Sequence, residues 1–156
     1  MRYFPFNSFI VVGLIFGLGG LCLSWRLIDT NAGSRLVQGR DILIYGSCVP
    51  VEYPEVFGDV SKGRTALSVC LEEEHVNMLV YKLAYMFRLR RPPKSVTVLT
   101  IDGSPHCVQL HYAVQEAAKI SGSTISIVHL VIVGGRVVEV SPEAVKRSRW
   151  LSKIKV

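Results

Sequence analysis

The sequence predicts an α/β fold: an open, mostly parallel sheet with helices on its faces and a C-terminal hairpin plus helix. Apolar, strand-like runs alternate with amphipathic helical stretches, which favours parallel strands joined by right-handed crossovers. The run Ser95 to Ile101, SVTVLTI, is β-branched and apolar on both faces, as a strand covered on both sides should be. Gly134-Gly135 separates two further apolar runs and is typical of a two-residue hairpin.

The remaining elements follow from spacing and from end signals. Apolar side chains recur at helical intervals after Glu72, with acids at the start and arginines at the end, and Pro92-Pro93 stops this helix. Ser141-Pro142 is an N-cap followed by proline and opens the final helix. In chain order we predict a strand at 65–70, a helix at 72–90, a strand at 95–101, a helix at 105–120, strands at 123–133 and 136–140, and a helix from 142 to about 154.

The region before Thr65 is less regular. Asp41 to Tyr45, DILIY, is consistent with an additional strand, and Gly46 to Pro50 with the loop that follows it. Residues 26–40 show no apolar periodicity and are rich in turn formers, so they are expected to form a linker. The expected organisation is therefore a hydrophobic segment at 1–25, a linker at 26–40 and an α/β domain at 41–156.

The N-terminal segment contains 17 uncharged residues, Phe9 to Trp25, between Arg2 and Arg26. This length is at the lower limit for a helix that crosses a membrane. Arginines are more frequent after the segment than before it, so the positive-inside rule would place the domain on the cytoplasmic side of a membrane anchor. The alternative is a misplaced start of the reading frame, in which case the protein is plainly cytoplasmic.

The chain has 18 Lys and Arg against 12 Asp and Glu. The basic residues of the domain cluster at the ends of two predicted helices, where cations offset the helix dipole without any partner. No aromatic-rich strand or recognition motif accompanies them, so nucleic-acid binding is not predicted.

Cysteines and histidines gather in loops that follow the predicted strands. In open α/β sheets, ligands bind outside the carboxyl ends of the strands. Thiolate and imidazole are metal ligands, and Cys107 and His111 have the i, i+4 spacing that places both on one helix face. The leading hypothesis is a metal or iron–sulfur site with a redox role and a redox partner protein. Its candidate ligands are Cys48, Cys70, Cys107, His75 and His111, with His106 as an alternative to either histidine.

A second hypothesis is an enzyme acting on a small anionic substrate. Cys107 would be the nucleophile, with His106, His111 or His75 as its base and Asp102 as an orienting or acidic group. The amides of Gly103 and Ser104, at a helix start, would bind the anionic group. Two further readings stay open: a non-catalytic interaction subunit, and ordinary caps and packing without a site. His129, in an apolar strand, is expected to be a core histidine.

Several sharper motifs are absent from the sequence. It contains no C-x-x-C, G-x-S-x-G, H-E-x-x-H or P-loop pattern, and its Gly17-x-Gly19 lies outside any strand–helix context. The segments Ser68–Val76 and Asp102–His111 nevertheless resemble a family of small, uncharacterised proteins from hyperthermophilic archaea, some labelled iron–sulfur or ferredoxin-like. The resemblance covers about residues 48–153. It implies an iron–sulfur cluster, or zinc or iron, bound by Cys48, Cys70 and Cys107 with a fourth ligand.

Overall fold

Strands and helices alternate along the chain as predicted. The computed structural model describes residues 25–150 and 152. The strands are β1 (Trp25–Arg26), β2 (Asp41–Gly46), β3 (Thr65–Val69), β4 (Ser95–Ile101), β5 (Ser126–Val133) and β6 (Arg136–Val140). The helices are α1 (Val49–Glu52), α2 (Pro54–Ser61), α3 (Val76–Phe87), α4 (Pro105–Ser121) and α5 (Pro142–Ser148).

All six strands belong to one sheet, in the order β1-β3-β2-β4-β5-β6. The first five of these neighbours pair in parallel, and β6 pairs antiparallel with β5 across the Gly134-Gly135 turn. Both glycines have positive φ, which a two-residue turn of this kind requires. The predicted fold class is therefore confirmed, including the C-terminal hairpin and the helix after it.

The two faces of the sheet carry separate cores. On one face, α3 and α4 cover the central strands, with Leu83 and Val114 among the fully buried side chains. On the other face, α1 and α2 contribute Val49 and Phe57, and the Phe57 ring lies 4.6 Å from that of Tyr45 in β2. A parallel sheet covered in this way explains why its strands read as continuous apolar runs.

Several elements and boundaries differ from the sequence prediction. The strand β5 begins at Ser126 rather than Ser123, and α3 ends at Phe87 rather than Arg90. The first helix after β3 begins at Val76 rather than Glu72, because residues 71–74 form a turn in which the Cys70 carbonyl accepts the N–H groups of Glu73 and Glu74. The strand β1 and the helices α1 and α2 were not predicted, and α1 begins within the loop expected at residues 46–50. In the described residues α5 ends at Ser148, and the end expected near Ile154 lies outside them.

Residues 26–40, expected to form a linker, pack against the sheet instead. Leu27 and Val37 are fully buried, and the Leu27 N–H donates to the Ser68 carbonyl at 2.9 Å. Isolated apolar residues within turns have no periodicity, so the sequence pattern could not reveal this packing. The folded unit therefore begins before Asp41.

The membrane-anchor prediction for Phe9–Trp25 falls, apart from Trp25, outside the described residues. Among the residues that the structure does describe, none of the helices has the length and apolar character needed to span a bilayer.

The strand order fixes where a crevice opens. From β2 the chain crosses to β3 on one side, and from β3 it passes back over β2 to β4 on the other side. The strand order thus reverses between β2 and β4, and the loops at their carboxyl ends diverge there. The functional candidates of the sequence analysis follow β2, β3 and β4.

Candidate functional site

Three loops form the carboxyl edge of the sheet beside this reversal point. Cys48 occupies the N-cap position of α1 without a capping hydrogen bond and is exposed, whereas Cys70 after β3 and Cys107 in the first turn of α4 are half-buried. The His106 Nδ1 lies 2.9 Å from the Glu72 Oε1, which joins the start of α4 to the loop after β3. The two segments expected to be neighbours are therefore in contact.

The electrostatics of Cys48 also reflect this proximity. Burial raises the pKa of the Cys48 thiol, and the neighbouring Cys107 raises it further, with smaller effects from Cys70 and Glu52. Cys48 is an exposed residue overall, so the burial concerns its sulfur environment rather than the whole side chain. The thiol of Cys48 is consequently protonated at neutral pH, and thiols from two other loops contribute to that effect.

The expected set of metal ligands is only partly brought together. Within the described residues, no three His, Cys, Asp or Glu side chains are arranged so that they could hold one metal ion. His75 is exposed at the N-cap of α3. His111 must be removed from the ligand set, because both of its ring nitrogens are already hydrogen-bonded in the core.

The N-terminus of α4 carries the residues expected to bind an anion. Gly103 has φ +89°, a conformation that glycine adopts without strain, and it turns the chain from β4 into the helix. Ser104 is the N-cap, but its hydroxyl makes no capping bond to the helix. The N–H groups of the first turn are thus not capped by a side chain, and the helix dipole is directed at the same place. Asp102 is exposed beside them.

A second polar cluster lies four residues further along α4, inside the core. The His111 Nε2 is 2.9 Å from the Thr100 Oγ1, and its Nδ1 is 2.9 Å from the Nδ1 of His129 in β5. The His129 Nε2 is 3.2 Å from the Gln115 Nε2, which also donates to the Pro142 carbonyl at 3.0 Å. We call Thr100, His111, His129 and Gln115 the histidine network.

The protons of the histidine network have a single consistent arrangement. The Pro142 carbonyl can only accept, so the Gln115 amide must present its nitrogen there and donate to His129 as well. His129 then carries its proton on Nδ1 and donates to His111, and His111 carries its proton on Nε2 and donates to Thr100. Every ring nitrogen is satisfied with both imidazoles neutral.

The acidities of the two histidines agree with this arrangement. Burial lowers the pKa of His111 to about 3, with a smaller contribution from His129, and burial lowers the pKa of His129 to about 4. His129 is therefore a satisfied core histidine, as expected, and His111 is its partner rather than a ligand at the crevice.

Two cavities of the described residues lie away from the crevice. One of about 380 Å³ is lined by Gln38, Leu89, Arg90 and Arg91 at the opposite end of the sheet. The other, of about 370 Å³, borders His129 and Gln115 beside the start of α5.

Sequence reasoning missed the partners of the histidines. Glu72 belongs to an acidic run that suits the start of any helix, so its contact with His106 could not be separated from that background. Within the same run, Glu73 and Glu74 bind Arg26 of β1, and the Glu74 side chain is nearly buried. The contacts of Thr100 and Gln115 with the histidines could not be predicted without knowing the register of β4 and β5. The only signal was a histidine in an otherwise apolar strand.

The turn after β2 does not fit a dinucleotide cofactor. A phosphate-binding turn needs glycines so that the backbone can approach the pyrophosphate, followed by a helix with free N–H groups. Here the turn has Cys48 in the place of close approach, Pro50 lacks an N–H, and α1 has only 4 residues. The molecule is thus a doubly covered parallel α/β domain whose crevice is lined by thiols instead of a glycine-rich cradle.

A protein family described as a Rossmann-like domain matches residues 34–155. This match covers most of the chain, and the protein belongs to that family. No curated protein and no solved structure matches the chain. The family description agrees with the fold and carries no iron–sulfur label.

Proposed function

We propose that the crevice is a thiol-dependent catalytic site for a small anionic substrate, with Cys107 as the nucleophile. The observation that carries the proposal is the 2.9 Å contact between His106 and Glu72. It provides an oriented imidazole in the helical turn that holds Cys107, and a carboxylate that fixes this imidazole from the neighbouring loop.

Each residue has a defined task in this proposal. Because His106 donates its Nδ1 proton to Glu72, its Nε2 is the nitrogen that can accept a proton. The Cys107 thiol transfers its proton to that nitrogen while the sulfur forms a bond to an electrophilic centre of the substrate. The bond to the leaving group breaks, and the leaving group takes the proton from His106. The uncapped N–H groups at the start of α4 bind the anionic part of the substrate.

The protonated Cys48 thiol supports the choice of Cys107 rather than Cys48 as the nucleophile. A raised pKa disfavours its thiolate, so Cys48 is a poor nucleophile at neutral pH. Cys107 contributes to this rise, so the two thiols lie near one another. Cys48 is therefore a matched internal control for the reactivity of Cys107.

The test is the rate of alkylation of each cysteine in the full chain, followed by mass spectrometry of its peptides. With iodoacetamide at neutral pH, Cys107 should react about tenfold faster than Cys48. Inorganic phosphate should protect Cys107, and His106→Gln should slow its reaction. His75→Gln alters an exposed histidine of the same edge and should change nothing. Equal rates for the cysteines, without protection by phosphate, would contradict the proposal.

A second proposal is the metal or iron–sulfur centre with an electron-transfer role and a redox partner. The observation in its favour is that Cys70 and Cys107 both act on Cys48, so three thiols from three loops share one surface. Because no three candidate ligands are in place for one ion in the described residues, the three thiols would have to move closer together to bind it. His75, His106 or a group from another molecule would then be the fourth ligand. Bound there, the centre would supply one-electron chemistry or hold the loops together.

Metal analysis of anaerobically purified protein separates the two proposals. Stoichiometric iron or zinc, lost in Cys70→Ser and in Cys107→Ser, would favour the centre. Alkylation of Cys107 at full rate in protein that carries no stoichiometric metal would favour the nucleophile. An ultraviolet–visible spectrum of the same sample adds a direct test for a cluster.

A further inference from the structure

The two edge strands of the described sheet differ in length and in their contacts. At one edge the described part of β1 is Trp25–Arg26, and Arg26 is fixed there by Glu73 and Glu74. At the other edge β6 has 5 residues, RVVEV, of which three are valines. Of the devices by which proteins usually block an exposed edge, this strand contains no lysine, proline or bulge, and its charged side chains are one arginine and one glutamate of opposite sign.

The outer side of β6 presents unused main-chain groups. The Ile132 carbonyl accepts the Asp102 N–H, so the peptide groups of Ile132 point towards β4 and not towards β6. Val137 lies opposite Ile132, and Glu139 lies opposite Leu130, two residues earlier in β5. Because antiparallel pairs alternate, Val137 and Glu139 direct their N–H and C=O groups away from β5, to the open edge.

From this edge we infer that β6 pairs antiparallel with β6 of a second copy of the chain and extends the sheet across a twofold axis. In the proposed register Val138 lies opposite Val138 of the second copy, and Val137 lies opposite Glu139. Val137 and Glu139 of each copy then form hydrogen-bonded pairs across the axis. Each of the two pairs exchanges two main-chain hydrogen bonds, which gives four in total.

The neighbouring registers are less favourable. A shift by two residues in one direction places Glu139 opposite Glu139 of the second copy, and like charges directly opposite one another destabilise a sheet. A shift in the other direction places Glu139 opposite Gly135 in the hairpin turn and loses ladder bonds. A shift by one residue would bring together side chains from opposite faces of the sheet.

Side chains at the edge complement this register. Val137 and Val138 are 42% and 44% exposed, so pairing would cover apolar surface on both faces of the sheet. Arg136 would lie opposite Val140 of the second copy, next to the first turn of its α5, which carries Glu143. Within the described residues neither Arg136 nor Glu143 has an ion-pair partner. The twofold axis would create this charge pairing twice.

The test is register-specific disulfide formation in the full chain. The two Val138 residues would form a non-hydrogen-bonded pair with Cα atoms about 4.5 Å apart, within the range that a disulfide bridges. Val138→Cys should therefore give a cross-linked dimer under mild oxidation. Val137→Cys is the matched control, because the two copies of residue 137 would be diagonal neighbours about 7–8 Å apart. The unaltered chain reports the background from its own cysteines.

A second variant blocks the edge of β6 without unfolding the chain. Proline at position 137 removes an N–H that points away from β5, so Val137→Pro should block the edge and leave the hairpin paired. It should abolish the cross-link of Val138→Cys and the dimer that we expect in analytical ultracentrifugation, while the circular dichroism spectrum stays unchanged. The inference is wrong if Val137→Cys cross-links as well as Val138→Cys, if Val137→Pro has no effect on the cross-link, or if the chain is monomeric at all concentrations.

Discussion

The two polar regions of α4 use the same residue type in opposite ways. His106, in the first turn, is partly exposed and contacts the well-exposed Glu72. His111, five residues later, is 4% exposed and is held between Thr100 and His129. The first arrangement leaves a nitrogen free for chemistry, and the second leaves none.

This difference separates function from stability along one helix. Exposed ion pairs contribute little to the free energy of unfolding, because water screens them and long side chains lose entropy. A buried hydrogen-bonded network contributes more, mainly because removing one member leaves others unsatisfied. The crevice should therefore tolerate substitution without unfolding, whereas the histidine network should not.

The largest effect should come from pH. Free histidine has a pKa of 6.5, and in the folded protein the pKa is about 3 for His111 and about 4 for His129. Below pH 6.5 the unfolded chain takes up protons that the folded chain does not, so stability is full above this pH and falls as the pH decreases towards about 4. The slope should approach about 1.4 kcal/mol per pH unit for each imidazole.

Urea unfolding followed by circular dichroism between pH 7.5 and pH 4.5 measures this slope. The double variant His111→Leu/His129→Leu is the control, since it removes both titrating groups and should flatten the profile over that range. A slope that is the same in the variant would assign the pH dependence to other groups.

The next largest effect should be that of His111→Ala. The substitution leaves a cavity and removes the partners of the Thr100 hydroxyl and the His129 Nδ1, so the free energy of unfolding should fall by about 3 kcal/mol. His106→Ala on the same helix should change it by less than about 0.5 kcal/mol. Similar losses in the free energy of unfolding for the two variants would contradict the distinction between a stabilising network and a crevice that tolerates substitution.

Gln115→Leu should have a smaller effect of about 1 kcal/mol. Gln115 joins His129 to the Pro142 carbonyl at the start of α5, and leucine fills similar space without donating. Thermal unfolding gives the loss of stability. Faster hydrogen exchange confined to α5 would identify the tie to Pro142 as its source, and uniform exchange changes would argue against it.

The smallest effect on stability should be that of Glu72→Gln, below about 0.5 kcal/mol. It should nevertheless slow Cys107 alkylation, as His106→Gln does, because Glu72→Gln removes the charge that orients the imidazole whereas His106→Gln removes the imidazole itself. Glu73→Gln, which alters a neighbouring carboxylate bound to Arg26, serves as the control. A large loss of stability together with unchanged alkylation would reverse the assignment.

The fold could be predicted because its signals are local. The β-branched run at Ser95–Ile101, the Pro92-Pro93 stop and the two glycines of the hairpin each determine their element within a few residues. The packed turns between Leu27 and Val37 and the helix α2 have no such signal. Their burial depends on contacts with β3 and with the sheet face, which lie far away in the chain.

The candidate site could be predicted in position but not in detail. Parallel strands bring their carboxyl ends to one edge, so topology alone puts Cys70 and Cys107 in neighbouring loops. Spacing on one helix suggested that Cys107 and His111 act together, yet i, i+4 residues can share a face that points into the core. Which way that face points depends on where α4 packs against β4 and β5.

The histidine network also has a kinetic consequence for α4. From about the second turn onwards, its amides are bonded within the helix, and His111 ties the helix to β4 and β5, so they should exchange with solvent only when the domain opens globally. The amides of His106 and Cys107 precede the first helical hydrogen bond and lack a capping side chain. They should exchange orders of magnitude faster, on a backbone held still only one turn away. A reactive thiol at Cys107 would thus lie beside backbone N–H groups that are open to solvent, on a helix whose position is fixed by its packing in the core.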